Sequence, residues 1–279
     1  MRRRVASRLV CLVVVGGIVA SLDFQSQGDI LQEPIRFSDK ATEARELAAA
    51  ARPGPPAVAD SYAGAKRWLF EQVHGDRRET LYCRCPFDRA KRVDHAACGY
   101  RVAGNAERAA RVEVEHVVPA SWIGQGRPCW HQRLCVAASG RSFKGRKCCA
   151  RLDPAYEAAY HDLHNLWPTV GEVNEQRAHY ALGLVPGEDR AFGRCDFEVD
   201  RGAGVAEPRP EIRGDIARIH LYMEAVHGVH LREPHRRLLE SWHRDDPPDA
   251  WERERDRRIE RLQGNRNPFV GRDSLAGLD

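Results

Sequence analysis

Eight cysteines between residues 83 and 195 constrain this chain more than any other feature: Cys83, Cys85, Cys98, Cys129, Cys135, Cys148, Cys149 and Cys195. The cytosol keeps thiols reduced, so an even set of this size reads as disulfides in an exported chain. A ninth, Cys11, falls in an N-terminal stretch where Arg2, Arg3, Arg4 and Arg8 precede an apolar run from Leu9 to Ala20. That pattern is a secretory signal, since a spanning helix needs about 20 apolar residues. Residues 1–21 are therefore expected to be a signal peptide cut near Ala20 or Ser21, with an uncleaved anchor as the alternative. The rival reading of the cysteines is a zinc site, because cysteines near histidines are also ligand material. No C-x₂-C pair is present, which favours disulfides. Eight cysteines allow about 105 connectivities, and spacing does not choose among them.

Residues 22–59 are acidic and polar, then alanine-rich at Ala48–Ala51 and Pro/Gly-rich at Pro53–Pro56, which reads as a linker or weakly ordered segment. Residues 60–279 are expected to form one domain. It opens near Asp60, where Tyr62, Ala65, Leu69 and Val73 recur at helical spacing. Cys83 to Val102 reads as turns and short strands clipped by cysteines, Ser139 to Gly145 as an exposed loop, and Tyr156 to Tyr180 as mainly helical, started or broken at Pro168. Ile216, Ile219, Met223 and Val226 form an apolar stripe stopped by Gly228. A charged helix from Ala250 to Gln263 ends at Gly264. The class is α+β: mixed, mostly helical, with a small strand pair.

Charge excludes one simple idea. The chain carries 44 Lys and Arg against 40 Asp and Glu, and the leader takes four arginines and no acid, leaving 40 against 40. A global positive field cannot then attract an anionic partner. A local one can. Between Ser121 and Arg151 stand Arg127, Arg133, Arg141, Lys144, Arg146, Lys147 and Arg151 without one Asp or Glu. Such a block is placed to hold a phosphate backbone, although charge runs are most often solvated faces.

The chemistry concentrates in R-V-E-V-E-H-V-V-P-A-S-W-I-G, Arg111 to Gly124. Val112 and Val114 alternate as in a short strand that stops before Pro119, and Glu115 and His116 lie at its end. About fifty residues on come H-D-L-H-N-L-W-P, His161 to Pro168, and G-E-V-N-E-Q-R, Gly171 to Arg177. A Glu-His pair alone is ordinarily a satisfied edge. Together with Asn165 it offers two hard oxygens that suit Mg²⁺ and an imidazole able to take a proton near neutral pH. That combination points to metal-assisted attack on a phosphodiester. Successive strand residues face opposite ways, so either the strand bends here or the substrate straddles its edge.

The motifs resemble those of the bacterial endonuclease I family, periplasmic and secreted non-specific nucleases of the ββα-metal superfamily. The matching pieces run from about Asp60 to Val270. They include Y-C-R-C (Tyr82–Cys85), A-C-G-Y-R-V (Ala97–Val102), E-H-V-V-P-A (Glu115–Ala120), G-R-K-C-C (Gly145–Cys149), D-L-H-N-L, G-E-V-N, R-G-D-I-A-R (Arg213–Arg218) and Q-G-N-R-N-P-F (Gln263–Phe269).

The resemblance implies a disulfide-linked domain around a ββα-metal core. It implies His116 as general base, Glu115 and Asn165 as ligands of one Mg²⁺, and Arg146 on the scissile phosphate with Lys147 beside it. A water on the metal would protonate the leaving oxygen. His164, Glu172, Asn174 and Arg177 would support these groups from behind, and His161 or His164 is the fallback metal ligand. The expected pairing closes the Cys129–Cys149 block on itself, with Cys135 and Cys148 as a second link that goes with a longer segment than the family's. Trp167 replaces a residue usually small or polar and is expected at the site rim. Trp122 and Trp130 are weighed between core packing and base stacking, with packing preferred. The implied activity is periplasmic or secreted cleavage of DNA, and of RNA, by a monomer without membrane association after signal removal. The alternative is a catalytically silent nucleic-acid binding or uptake protein on the same fold.

Overall fold

The computed structural model describes residues 56–187 and 190–271. The expected signal peptide and most of the expected linker lie outside the described residues. Among the described residues, Ala57 N–H already bonds Gln263 O at 2.9 Å.

The chain opens with α1 (Tyr62–Trp68), capped by the Ser61 side chain and continued by a π-helical turn, Leu69–Val73. After a disulfide-rich segment come β1 (Val112–His116), β2 (Cys135–Val136) and β3 (Ser142–Phe143), then α2 (Arg146–Leu152) and α3 (Pro154–His161). A 3₁₀ turn (Leu163–Asn165) leads into β4 (Leu166–Val170) and α4 (Gly171–Arg177). Next are β5 (Ala181–Leu182), β6 (Phe197–Asp200) and β7 (Val205–Pro208). Three helices close the fold: α5 (Arg213–His227), α6 (Glu233–Asp245) and α7 (Ala250–Gln263). Mixed helix and strand make this an α+β domain.

The strand expected from Val112 and Val114 is β1, paired antiparallel with β4 in the register Glu115↔Trp167 and His116↔Leu166. β4 overturns the expectation of helix through Tyr156–Tyr180: helix α3 stops at His161, and Pro168 sits inside a strand rather than starting a helix. The reason is positional. Ladder bonds from Val117 N to Asn165 O and from Gly171 N to Arg111 O set the parity, so at Val114↔Pro168 the proline nitrogen faces away from β1. No ladder bond is lost there, and Pro168 O accepts from Leu81 N at 2.9 Å. The segment is buried throughout, so no amphipathic alternation betrays the strand.

Helix α5 carries the expected stripe. Ile216, Ile219 and Met223 are buried, each stabilising by roughly 1.5–3 kcal/mol, and Gly228 ends the helix at φ 67°. Helix α7 covers Ala250–Gln263, with Gly264 in the left-handed conformation at its end. Residues 139–145 belong in part to the β2–β3 hairpin rather than forming a plain loop.

All eight cysteines are paired: Cys83–Cys195, Cys85–Cys98, Cys129–Cys149 and Cys135–Cys148. The two links expected inside the Cys129–Cys149 block form as read, and the zinc reading falls because no thiolate remains for a metal among the described residues. Among the described residues no helix is long and apolar enough to cross a membrane.

Candidate active site

Helix α3 ends with carbonyls that have no partner in their own helix, and one of them, Tyr160 O, lies 2.9 Å from His116 Nε2. A carbonyl only accepts, so Nε2 carries the proton and Nδ1 keeps the lone pair. The ring is fixed by more than that bond. It lies on Tyr160 at 4.4 Å between centroids and 13° between planes, and Tyr62 of α1 stacks against it at 5.6 Å. His116 is 9% exposed. Burial takes its pKa down to about 3, the Tyr160 carbonyl opposing and the Arg146 charge adding to the fall. The imidazole is therefore neutral near pH 7.

Glu115, one residue back, belongs to the other face of the strand. Its Oε1 accepts from Tyr82 Oη at 2.8 Å and lies 3.0 Å from Arg177 Nη1. Both contacts fall on Oε1, leaving Oε2 as the oxygen available to a further partner. Burial raises the carboxyl's pKa, with Arg177 and the Tyr82 hydroxyl opposing. Arg177, at the end of α4, also donates to His116 O at 2.9 Å and Val117 O at 2.5 Å. One guanidinium thus holds the carboxylate and the backbone where β1 ends.

Asn165 stands just beyond the end of the β1–β4 ladder, where its carbonyl accepts from Val117 N at 3.1 Å. Its amide clasps one residue's backbone: Val118 N donates to Oδ1 at 2.7 Å, and Nδ2 donates to Val118 O at 3.0 Å. The amide oxygen has a second lone pair. The turn carrying it hangs on Asp162, which accepts from Tyr222 Oη at 2.6 Å and Gln263 Nε2 at 3.0 Å, with His227 Nε2 at 2.7 Å. Arg255 adds bonds to Leu163 O and Leu166 O.

Arg146 and Lys147 are exposed at the start of α2. Gly145 precedes them at φ 81°, a conformation that favours glycine, and disulfides at Cys148 and Cys149 lock the same helix. The Arg146 guanidinium stands 5.7 Å from the Tyr160 ring centroid. Tyr160 therefore touches both His116 and Arg146.

The other expected residues are placed as follows. Glu172 is buried and accepts from Tyr100 Oη and from the N–H groups of Ala103, Gly104 and Asn105, bracing that loop rather than Glu115 or His116. Asn174 donates to Glu113 at 3.0 Å. His164 turns into the core, near Asn265 O and the Tyr222 ring. His161 Nδ1 meets Ala59 O at 3.1 Å. Trp167 departs from the expectation of a rim residue: it is 4% exposed, packed on His74 and under Arg255. Trp122 lies against His220 and His235, and the Trp130 ring covers Gly124 so closely that a Cβ there would sit 2.2 Å from it. Both tryptophans are packing residues. Within the acid-free block, Arg127 is already paired with Asp153 at 2.6 Å. Tyr62 and Tyr160 were missed as site residues, because no sequence signal tells a core aromatic from one lying on a particular histidine.

A carboxylate oxygen from Glu115 and an amide oxygen from Asn165, each on a side chain clamped by protein, would suit a hard divalent cation that keeps most of its waters.

The Endonuclease I family profile matches residues 71–273. An extracellular deoxyribonuclease of Aeromonas hydrophila is 39% identical over 219 residues, spanning 77% of this chain and 91% of that protein. A periplasmic deoxyribonuclease of the same organism is 40% identical over 216 residues, 76% and 86% of the two chains. Endonuclease-1 of Buchnera aphidicola subsp. Acyrthosiphon pisum is 33% identical over 202 residues, 71% and 76%. Helix α1, with Tyr62, lies ahead of the profile match.

Proposed function

The chain belongs to the Endonuclease I family, and on that premise we propose that it is an exported, Mg²⁺-dependent endonuclease that hydrolyses phosphodiester bonds of DNA, and of RNA, with little sequence preference. The two Aeromonas hydrophila relatives named above are an extracellular and a periplasmic deoxyribonuclease, which supports export and a nucleic-acid substrate. The observation that carries the reading is the fixed, neutral His116 with Arg146 beside the same tyrosine ring.

In this reading the phosphodiester lies across the end of β1, straddling the strand. His116 Nδ1 takes a proton from the attacking water, while the Tyr160 carbonyl keeps Nε2–H oriented. A pKa near 3 would make a weak base. The substrate's negative charge beside the ring favours the protonated imidazole and moves the value back up. Arg146 grips two phosphate oxygens with its planar fork, and Lys147 adds charge. Glu115 and Asn165 would hold Mg²⁺, which when bound supplies the positive charge at the leaving oxygen and a water acidic enough to protonate it. Arg177 and Tyr82 aim the Glu115 carboxylate, and the Val118 backbone aims Asn165. Contacts confined to the backbone account for weak sequence preference. The protein acts as a monomer, free of the membrane.

Nicking of supercoiled plasmid by the oxidised mature protein, with Mg²⁺ and with EDTA, tests this. Cleavage that EDTA abolishes is the expected result. Binding without cleavage in either condition would identify a silent binding protein instead, and cleavage undiminished by EDTA would remove the metal.

A further inference from the structure

A groove of about 1030 Å³ runs along the outer face of α1 and its π-helical turn, walled opposite by the segment 75–91 and by α7. Its lining is not that of the site described above, yet one contact joins the two. Lys66 lines the groove and holds its Nζ 5.0 Å over the Tyr62 ring, the same ring that stacks on His116 at 5.6 Å.

The charge in the groove is lopsided once internal pairs are removed. Of its acids, Asp76 and Glu254 are bound by Arg258, and Asp88 by Arg92. That leaves Glu71. Against it stand Lys66, Arg67, Arg78, Arg89 and Lys91, none of which forms an ion pair among the described residues. Lys91 is held at the wall with its ammonium 4.2 Å over Phe70. A charged face is most often merely solvated. Here the cations line one groove, and three of its four acids are already paired.

The dimensions suit a polyanion. Tyr62 to Val73 is about 12 residues, or about 18 Å at 1.5 Å per residue, which is the rise of about five phosphates of one strand at 3.4 Å each. We propose that this groove binds the nucleic-acid backbone flanking the bond to be cut, with Tyr62, beneath Lys66, as the contact between the groove and His116. The proposal rests on the nuclease reading and adds where the substrate leaves the site. It concerns residues of α1 that precede the matched family segment.

The test is binding of a labelled duplex of about 20 base pairs to the full oxidised protein in EDTA, followed by fluorescence anisotropy over a salt series. The triple variant Lys66→Ala/Arg67→Ala/Lys91→Ala is compared with wild type and with Arg237→Ala, an exposed arginine on α6. Each phosphate contact contributes about 0.9 to the slope of log K against log salt. The triple variant's slope should therefore be shallower by about 2–3, with weaker binding at low salt, while Arg237→Ala keeps the wild-type slope. The single variant Lys66→Gln, shallower by about 1, gives the same reading should the triple variant fold poorly. A wild-type slope in both groove variants, or an equal drop in Arg237→Ala, overturns the groove and leaves the nuclease reading standing. A wild-type protein that does not bind the duplex at all overturns both.

Discussion

Arg177 Nη1 lies 3.0 Å from Glu115 Oε1, with the side chains 1% and 2% exposed. The same guanidinium bonds the carbonyls of His116 and Val117. A carboxylate this deeply buried needs a counter-charge, and Arg177 at the end of α4 supplies one. Removing one member of a buried pair strands the other, at a cost of about 3–5 kcal/mol. Arg177→Met should therefore lose about that much stability in urea unfolding of the oxidised protein. A loss below about 1 kcal/mol would mean that solvent reaches Glu115 and that Arg177 does not hold the strand end.

His116→Ala should lower turnover by about 10²–10⁴-fold while duplex binding stays near wild type. Single-turnover cleavage and anisotropy on the same preparation separate the two effects. Near-normal cleavage by a folded variant would remove His116 from the base role.

Glu115→Ala and Asn165→Ala should each weaken Mg²⁺ binding in titration calorimetry, with excess Mg²⁺ partly rescuing the milder Asn165 change. Unchanged affinity in both would move the ligands elsewhere. His161 and His164 would then come under test, although both are turned towards backbone carbonyls of the core.

Disulfides Cys129–Cys149 and Cys135–Cys148 both anchor α2, whose first residue is Arg146. Each typically stabilises by about 2–4 kcal/mol. Reduction should abolish or strongly lower activity, and denatured, unreduced mature protein should show close to zero free thiols. Eight titratable thiols in fully active protein would refute this.

Acid sensitivity should trace to Asp162. Burial alone would raise its pKa, but the His227 hydrogen bond, nearby imidazoles and Gln263 outweigh burial and hold it below the usual carboxylate range. A depressed carboxylate contributes stability that is present above its unfolded value of about 3.9 and is lost as pH falls through the folded value. The melting temperature should accordingly drop below pH about 4, and Asp162→Asn should be less stable at neutral pH with a flatter acid limb. An acid limb of unchanged steepness in that variant would place the sensitivity in another carboxylate.

Much of this molecule was legible from residues near one another in the chain. The Val112/Val114 alternation marks β1, the Ile216–Met223 stripe and Gly228 bound α5, and Gly264 closes α7, because periodicity and caps act over a few residues. The cysteine count demanded disulfides, and the short Cys129–Cys149 block paired within itself. Tertiary structure decided the rest. It paired Cys83 with Cys195 across a separation of 112 residues, a choice no local signal encodes. It made Leu166–Val170 a strand, since burial on both faces erases alternation and Pro168 fits wherever its nitrogen faces away from the ladder. It sent Trp167 into the core, and it brought Tyr62, Tyr160 and Arg146 around His116 and Arg177 onto Glu115. Which charge answers a buried carboxylate, and which ring lies on an imidazole, follow from the packing of distant elements that only the folded chain brings together.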